Sequence, residues 1–228
     1  MTNTFGIEIE ISGASISTIK SALNTAEIRG CDVKPDGTPG VDAEIVLPPL
    51  APCDFAWDYI KSICRVLDRV GASVNSKCGL HVHIGNAPLN DDTHAVRFCG
   101  DSILERHRTG RYITGAYADP MDFVAVQDIM FRYTRQQSTI NTMFPRSRTD
   151  NRYCAPLSLA RIERATTISE LTFGKFTTVN LETWSRGTIE FRQASGTVEA
   201  DKIINWVKFL LNLVDHTNTA RVTSGSRT

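Results

Sequence analysis

The chain opens on a strict alternation: Phe5, Ile7, Ile9 and Ile11 fall on one side, Glu8 and Glu10 on the other. Period two with β-branched residues predicts a half-buried strand. Three later stretches repeat the design. Over 41–47, Val41, Ala43, Ile45 and Leu47 oppose Asp42 and Glu44, until Pro48 and Pro49 end the run. Over 78–85, Leu80, Val82 and Ile84 oppose His81 and His83. Over 187–193, Ile189 and Phe191 oppose Thr188, Glu190 and Arg192. Weaker strands are predicted around Cys31–Lys34, before a turn at Pro35, Asp36 and Gly37, and over Lys175–Leu181.

Between the strands the period changes to that of helices. Ser15 or Ser17 can cap a short helix carrying Ile16, Ile19, Leu23 and Ala26. Asp54 can cap an amphipathic helix to about Val70, with Tyr59, Ile60, Ile63, Leu67 and Val70 inward and Gly71 as its stop. Asp91 or Asp92 opens a helix to about His107, and Asp119 with Pro120 opens another to about Arg135, with a continuation to Met143 left open. Between those two, Arg108–Ala118 reads as a loop holding Arg111, Tyr112 and Tyr117. A second loop, 145–154, carries Arg146, Arg148 and Arg152. Ser158 caps a helix with Leu159, Ile162 and Ala165, and Thr197 caps the last one, to about His216. The organisation expected is one domain over 1–216 with a polar, disordered tail over 217–228.

A chain of 228 residues with 41% hydrophobic content can bury a sizeable core. Lys+Arg and Asp+Glu are balanced at 25 each, so charge argues for neither nucleic acid nor an anionic membrane as partner. No apolar run approaches the length of a membrane span. The six cysteines form no C-x-x-C pair and several lie in apolar stretches. With a first strand that starts at once and no visible signal peptide, they predict reduced thiols in a cytoplasmic protein.

The polar sides of the four alternating stretches hold the candidate chemistry. Glu8 and Glu10 sit about 6.6 Å apart on one strand face. Such carboxylates repel unless a cation lies between or above them, and a divalent metal takes carboxylate oxygens readily. A single Glu-x-Glu strand is ordinarily a solvated face, and a single His-x-His strand a hydrogen-bonded one; the repetition argues otherwise. If the strands share one sheet, Glu8, Glu10, Asp42, Glu44, His81, His83, Glu190 and Arg192 converge. An acid-rich sheet with a few cations suits a multi-metal nucleotide site, in which metals bridge phosphate oxygens and arginines complete the charge balance. No Gly-rich phosphate loop is present, so phosphates would be held by metals and arginines on the sheet.

Six motifs in order resemble the amidoligase family, which belongs with glutamine synthetase and glutamate–cysteine ligase among the carboxylate–amine ligases. They are Phe-Gly-Ile-Glu-Ile-Glu at 5–10; Asp36-Gly37 with Ala-Glu-Ile-Val at 43–46; Cys-Gly-Leu-His-Val-His-Ile-Gly at 78–85; Asn-Arg-Tyr-Cys at 151–154; Val-Asn-Leu at 179–181; and Gly-Thr-Ile-Glu-Phe-Arg at 187–192. The resemblance implies an α+β fold like the glutamine synthetase catalytic domain: a mostly antiparallel sheet, helices on one face, the active site on the other. It implies ATP, two or three Mg²⁺ (or Mn²⁺) ions, and an amide formed through an acyl phosphate on an amino acid, peptide or protein substrate. By motif, Glu8, Glu10, Glu44 and Glu190 resemble metal ligands. His81 is favoured over His83 as the ligand from the His-x-His strand, His83 then facing the cofactor. Arg192 resembles a phosphate or acyl-phosphate ligand, and Arg152 and Lys175 are candidates for the γ-phosphate or a substrate carboxylate. A sixth metal ligand is open between Asp36 and Asp42. Glutamine synthetase's separate N-terminal domain has no counterpart here. Two other readings of the same residues are a guanidino kinase-like phosphotransferase and a non-catalytic nucleotide- or metal-binding protein.

Overall fold

The computed structural model describes residues 3–85, 121–149 and 151–224, with side chains described as far as 215. The predicted helix over 91–107, the loop over 108–118, the Asp119-Pro120 helix start and Cys99 lie outside the described residues. Among the described residues six strands form a single sheet: β1 (Thr4–Ile11), β2 (Asp32–Lys34), β3 (Ala43–Val46), β4 (Gly79–Gly85), β5 (Val179–Asn180) and β6 (Thr188–Ser195), in the order β2-β3-β1-β4-β6-β5. Every neighbouring pair is antiparallel. The fold class is therefore α+β, with the helices α1 (Ile16–Thr25), α2 (Asp54–Arg69), α3 (Phe123–Arg135), α4 (Gln137–Asn141), α5 (Leu159–Arg164), α6 (Ile168–Leu171) and α7 (Ala200–Ser224).

The alternation decides which face is covered. Ile7, Ile9, Ile45, Leu80, Val82, Ile84, Ile189 and Phe191 are all buried in one core. That core also holds Ile60, Ile63 and Leu67 of α2, Val126, Ile129 and Tyr133 of α3, and Ile203, Val207 and Leu210 of α7. Aromatic contacts tie helices to strands at both ends: Phe5 stacks on Trp57 at 5.3 Å, and Tyr133 leans on Phe191 at 5.4 Å. With one face so covered, a one-residue slip of any strand would move its whole ligand set into the core, so the register is strongly specified.

Several boundaries differ from the pattern-based expectation, for local reasons. Ser15, not Ser17, caps α1, its side chain accepting from Thr18 N at 3.2 Å. Cys53 occupies the cap position of α2, and Asp54 lies in the first turn, where its charge complements the helix dipole. Asp122 caps α3 by accepting from Ala125 N at 2.9 Å, a few residues beyond the Asp119-Pro120 start that was expected. Thr197 accepts from Glu199 N at 3.1 Å just ahead of α7 rather than capping it. The backbone of α7 then runs on to Ser224, past His216. The apolar period ends at Val214, but no proline or glycine interrupts the chain before Gly225. The described cysteines, Cys31, Cys53, Cys64, Cys78 and Cys154, are free thiols. No helix of the described residues is long and apolar enough to cross a membrane.

Beside the sheet the backbone approaches closely at Gly196, whose N–H donates to Cys78 O at 2.8 Å. A Cβ there would stand 2.6 Å from Cys78 Cβ and 3.0 Å from its backbone. Gly196→Ala is expected to destabilise the fold by roughly 2–3 kcal/mol through overpacking, read as a lower urea midpoint with an unchanged slope.

Candidate metal centre

The register lines the polar side chains up in rows across the sheet. Lys34 pairs with Glu44 and Glu44 with Glu10. One step along, Glu8 pairs with His81. In the next row Gly6 pairs with His83, His83 with Glu190, and Glu190 with Asn180. Glu8, Glu10, Glu44, His81 and Glu190, which the sequence nominates as metal ligands, thus gather on one face with His83 and Arg192. The face is not a solvated one: Glu10 and Glu44 are 5% exposed, and His81 and Glu190 4%.

His81 is the hub. Its Nδ1 is 3.2 Å from Glu8 Oε2 and 3.7 Å from Glu190 Oε1, and its Nε2 is 3.4 Å from Glu10 Oε1. His83 Nε2 is 3.4 Å from Glu8 Oε1, yet it is buried and makes no hydrogen bond. Glu190 is held on both sides, by Arg192 Nη1 at Oε1 and by Asn180 Nδ2 at Oε2, the latter at 2.6 Å. Glu10 Oε2 accepts from Gly79 N at 2.7 Å, and Lys34 Nζ is 2.9 Å from Glu44 Oε2.

Among the described residues three groups have ligand atoms within 4.8 Å of one another: Glu8, Glu44 and His81; Glu8, His83 and Glu190; Glu10, Asp36 and Glu44. Glu8 and Glu44 each belong to two groups, so neighbouring cation positions would share a bridging carboxylate. Groups of carboxylate oxygens with at most one imidazole suit Mg²⁺ or Mn²⁺, and the buried Nε2 of His83 faces Glu8 without a hydrogen bond of its own. Both histidines hold ligand-capable positions. Between the two aspartates left open, the structure brings Asp36 into a group. Asp42 joins none of these groups and accepts from Gly13 N at 2.7 Å.

The crowding shows in the protonation equilibria. Burial works against ionisation of Glu8, but side-chain contacts with His81 and His83 and their charge outweigh it and hold Glu8 well below the ordinary carboxylate range. Glu44 moves the other way: burial and then the charge of Glu8 push it up to about 6, with Lys34 only partly offsetting them. In the window from the unfolded value of 4.5 up to about 6, the folded chain binds the extra proton, so stability falls as pH rises through it. Above that window an ionised Glu44 costs the metal-free protein on the order of 1–2 kcal/mol. Glu44→Gln is therefore expected to be more stable than the parent in chelator at pH 7.5, with the advantage gone below about pH 4.5 and with a smaller stabilisation by Mn²⁺. Urea unfolding at the two pH values checks the sign.

A cleft of about 550 Å³ adjoins this face, lined by Glu8, His83, Glu190 and Arg192 at the ligand cluster and by Lys175, Arg186 and Lys34 on its walls. Lys175 thus reaches the cleft. Arg152 is exposed and lies over the Tyr153 ring at 4.7 Å, outside the ligand cluster. Of the three arginines in that loop, the one turned inward is Arg148, 4% exposed, which sequence reasoning did not single out. Its Nη2, His81 Nε2 and Glu10 Oε2 close over Gly79 so tightly that a Cβ there would meet them at 3.1, 2.9 and 3.4 Å. Gly79→Ala is expected to keep the fold, since it meets side-chain ends rather than backbone, and to weaken Mn²⁺ binding about tenfold by displacing His81 and Glu10. Calorimetric titration of the variant reads this directly.

A sheet face with three adjoining groups of carboxylates and imidazoles, beside a cleft that Lys34, Lys175, Arg186 and Arg192 help to line, defines a candidate multi-metal site. A family model described as "putative amidoligase enzyme" matches residues 27–214. The chain belongs to the amidoligase family. No curated protein matches it in sequence.

Proposed function

We propose that the chain is an ATP-dependent carboxylate–amine ligase that works through an acyl phosphate, on a sheet of the glutamine synthetase catalytic-domain kind. The observation that carries this reading is the set of three adjoining ligand groups sharing Glu8 and Glu44 on one buried sheet face, in a chain of the amidoligase family. Glu8, Glu10, Asp36, Glu44, His81, His83 and Glu190 would hold Mg²⁺ or Mn²⁺, which supplies charge neutralisation at the phosphates.

The chain's own residues divide the remaining work. A substrate carboxylate oxygen attacks the γ-phosphorus of ATP and ADP leaves. An amine then attacks the acyl carbon, inorganic phosphate leaves with the C–O bond electrons, and the amine sheds a proton to give the amide. Arg192 sits two residues from Glu190 on the same face of β6 and lines the cleft, where its guanidinium would meet the transferred phosphoryl group. Lys175 and Arg186 on the cleft wall are placed for an anionic part of nucleotide or substrate. The carboxylate and the amine would belong to an amino acid, a peptide or a protein terminus, and the enzyme would work in the cytoplasm.

The test needs no knowledge of the amine. With Mg·ATP and a panel of amino acids and peptides, hydroxylamine should intercept the activated carboxylate, giving a hydroxamate and ADP in equal amounts. A broad panel that yields neither ADP nor hydroxamate would leave the family fold serving nucleotide or metal binding alone.

A further inference from the structure

Strand β6 is irregular at one point, opposite the hub of the site. Leu80 pairs with Ala194 and Val82 with Phe191, so His81 faces two residues, Arg192 and Gln193. Such a bulge leaves a stretch of backbone outside the ladder and re-aims the side chains around it. Arg192 goes to the site face, toward Glu190. The Gln193 side chain goes to the helical face, fully buried, where Oε1 accepts from Tyr133 Oη at 2.9 Å and from Gln137 Nε2 at 2.6 Å, and Nε2 donates to Asn141 Oδ1 at 2.7 Å.

One side chain takes up the backbone of the bulge. Arg148 Nη2 donates to Arg192 O at 2.7 Å and Arg148 Nε donates to Gln193 O at 3.3 Å. The guanidinium is buried, and no carboxylate of a described residue lies within 4.0 Å of it. Its side-chain hydrogen bonds go to these two carbonyls, while the Glu10 carboxylate lies beside it over Gly79 without pairing. Its planar fork spans two successive carbonyls, which the single ammonium of a lysine cannot do.

We propose that Arg148 is a positioning residue: its guanidinium clamps the β6 bulge and so sets the direction in which Arg192 leaves the sheet toward Glu190 and the cleft. The structural part of this inference is independent of the ligase reading; only its kinetic consequence rests on it.

The test uses Arg148→Lys, which keeps the charge and loses the fork, in the full chain. In ¹⁵N-edited spectra of the arginine Nε–H groups, the parent should show an ordered Arg192 signal with a high heteronuclear NOE. In the variant that signal should lose its dispersion and NOE, while the circular dichroism spectrum is retained and the Mn²⁺ stoichiometry is unchanged. An Arg192 signal that stays as ordered as in the parent overturns the proposal. If Arg148→Lys does not fold, Arg148→Gln, which buries no charge, replaces it; failure of both to fold assigns Arg148 to the fold as a whole and also overturns it. Where the parent forms ADP with a carboxylate substrate, Arg148→Lys should lower turnover about tenfold with KM for ATP within about threefold, and add little in an Arg192→Ala background. Independent, multiplicative losses would contradict the clamp. A parent that forms no ADP counts against the ligase reading and leaves the spectroscopic result to decide the role of Arg148.

Discussion

Glu8→Gln is expected to weaken divalent-cation binding by at least ~100-fold and turnover by ~10³-fold or more. Glu8 belongs to two of the three ligand groups and touches both histidines. Losing its charge would therefore remove a carboxylate shared by neighbouring cation positions rather than one ligand among many. The change has a second signature. Because His81 and His83 hold the Glu8 carboxylate below its ordinary range, its contribution to stability is present above the unfolded value of 4.5 and is lost as pH falls below it. Glu8→Gln should thus cost the metal-free protein stability at neutral pH, whereas Glu44→Gln should restore some. Opposite signs at two carboxylates of one group distinguish a wired cluster from general acidity. Calorimetric titration with Mn²⁺ and urea unfolding in chelator measure the two effects.

The second large effect separates two neighbours on β6. Glu190→Gln is expected to weaken metal–nucleotide binding by about 10- to 100-fold and to lower turnover as well. Arg192→Ala is expected to lower turnover by about 10²- to 10³-fold while ATP affinity changes by a few-fold at most, because its guanidinium would act on charge that develops as the phosphoryl group moves. The structure refines this contrast, since Arg192 donates to Glu190 itself. Neutralising Glu190 also releases Arg192, so the glutamate variant should show both defects and the arginine variant only one. Both should fold, because Ile189 and Phe191, 1% and 0% exposed, carry this strand's share of the core. Single-turnover ADP formation and equilibrium nucleotide binding resolve the two cases.

The faces of β1, β4 and β6 were legible because one side of the sheet is fully packed, and alternation then dictates what points the other way. The common polar face followed from the same argument applied to several strands. Strand order was not legible, and it is strand order that sets Glu8 opposite His81 and His83 opposite Glu190. Alternation could not separate Asp42 from Glu44: the two share parity, but Asp42 lies just outside β3 and its carboxylate bonds Gly13 N. Asp36 enters from the irregular segment after β2, where no period exists to announce it. Arg148 was hidden among three arginines of one loop; which of them turns inward depends on a bulge in a strand more than forty residues away, a tertiary fact with no local signal.

The polar face of the sheet should hold several divalent cations together with a nucleotide. Electron paramagnetic resonance of free Mn²⁺ counts them directly. In a titration of the metal-free protein with a non-hydrolysable ATP analogue present, the account predicts at least two Mn²⁺ bound per chain beyond what the analogue binds alone. The excess should be lost in Glu8→Gln. A parent protein that binds no more Mn²⁺ than the analogue does by itself would contradict the account.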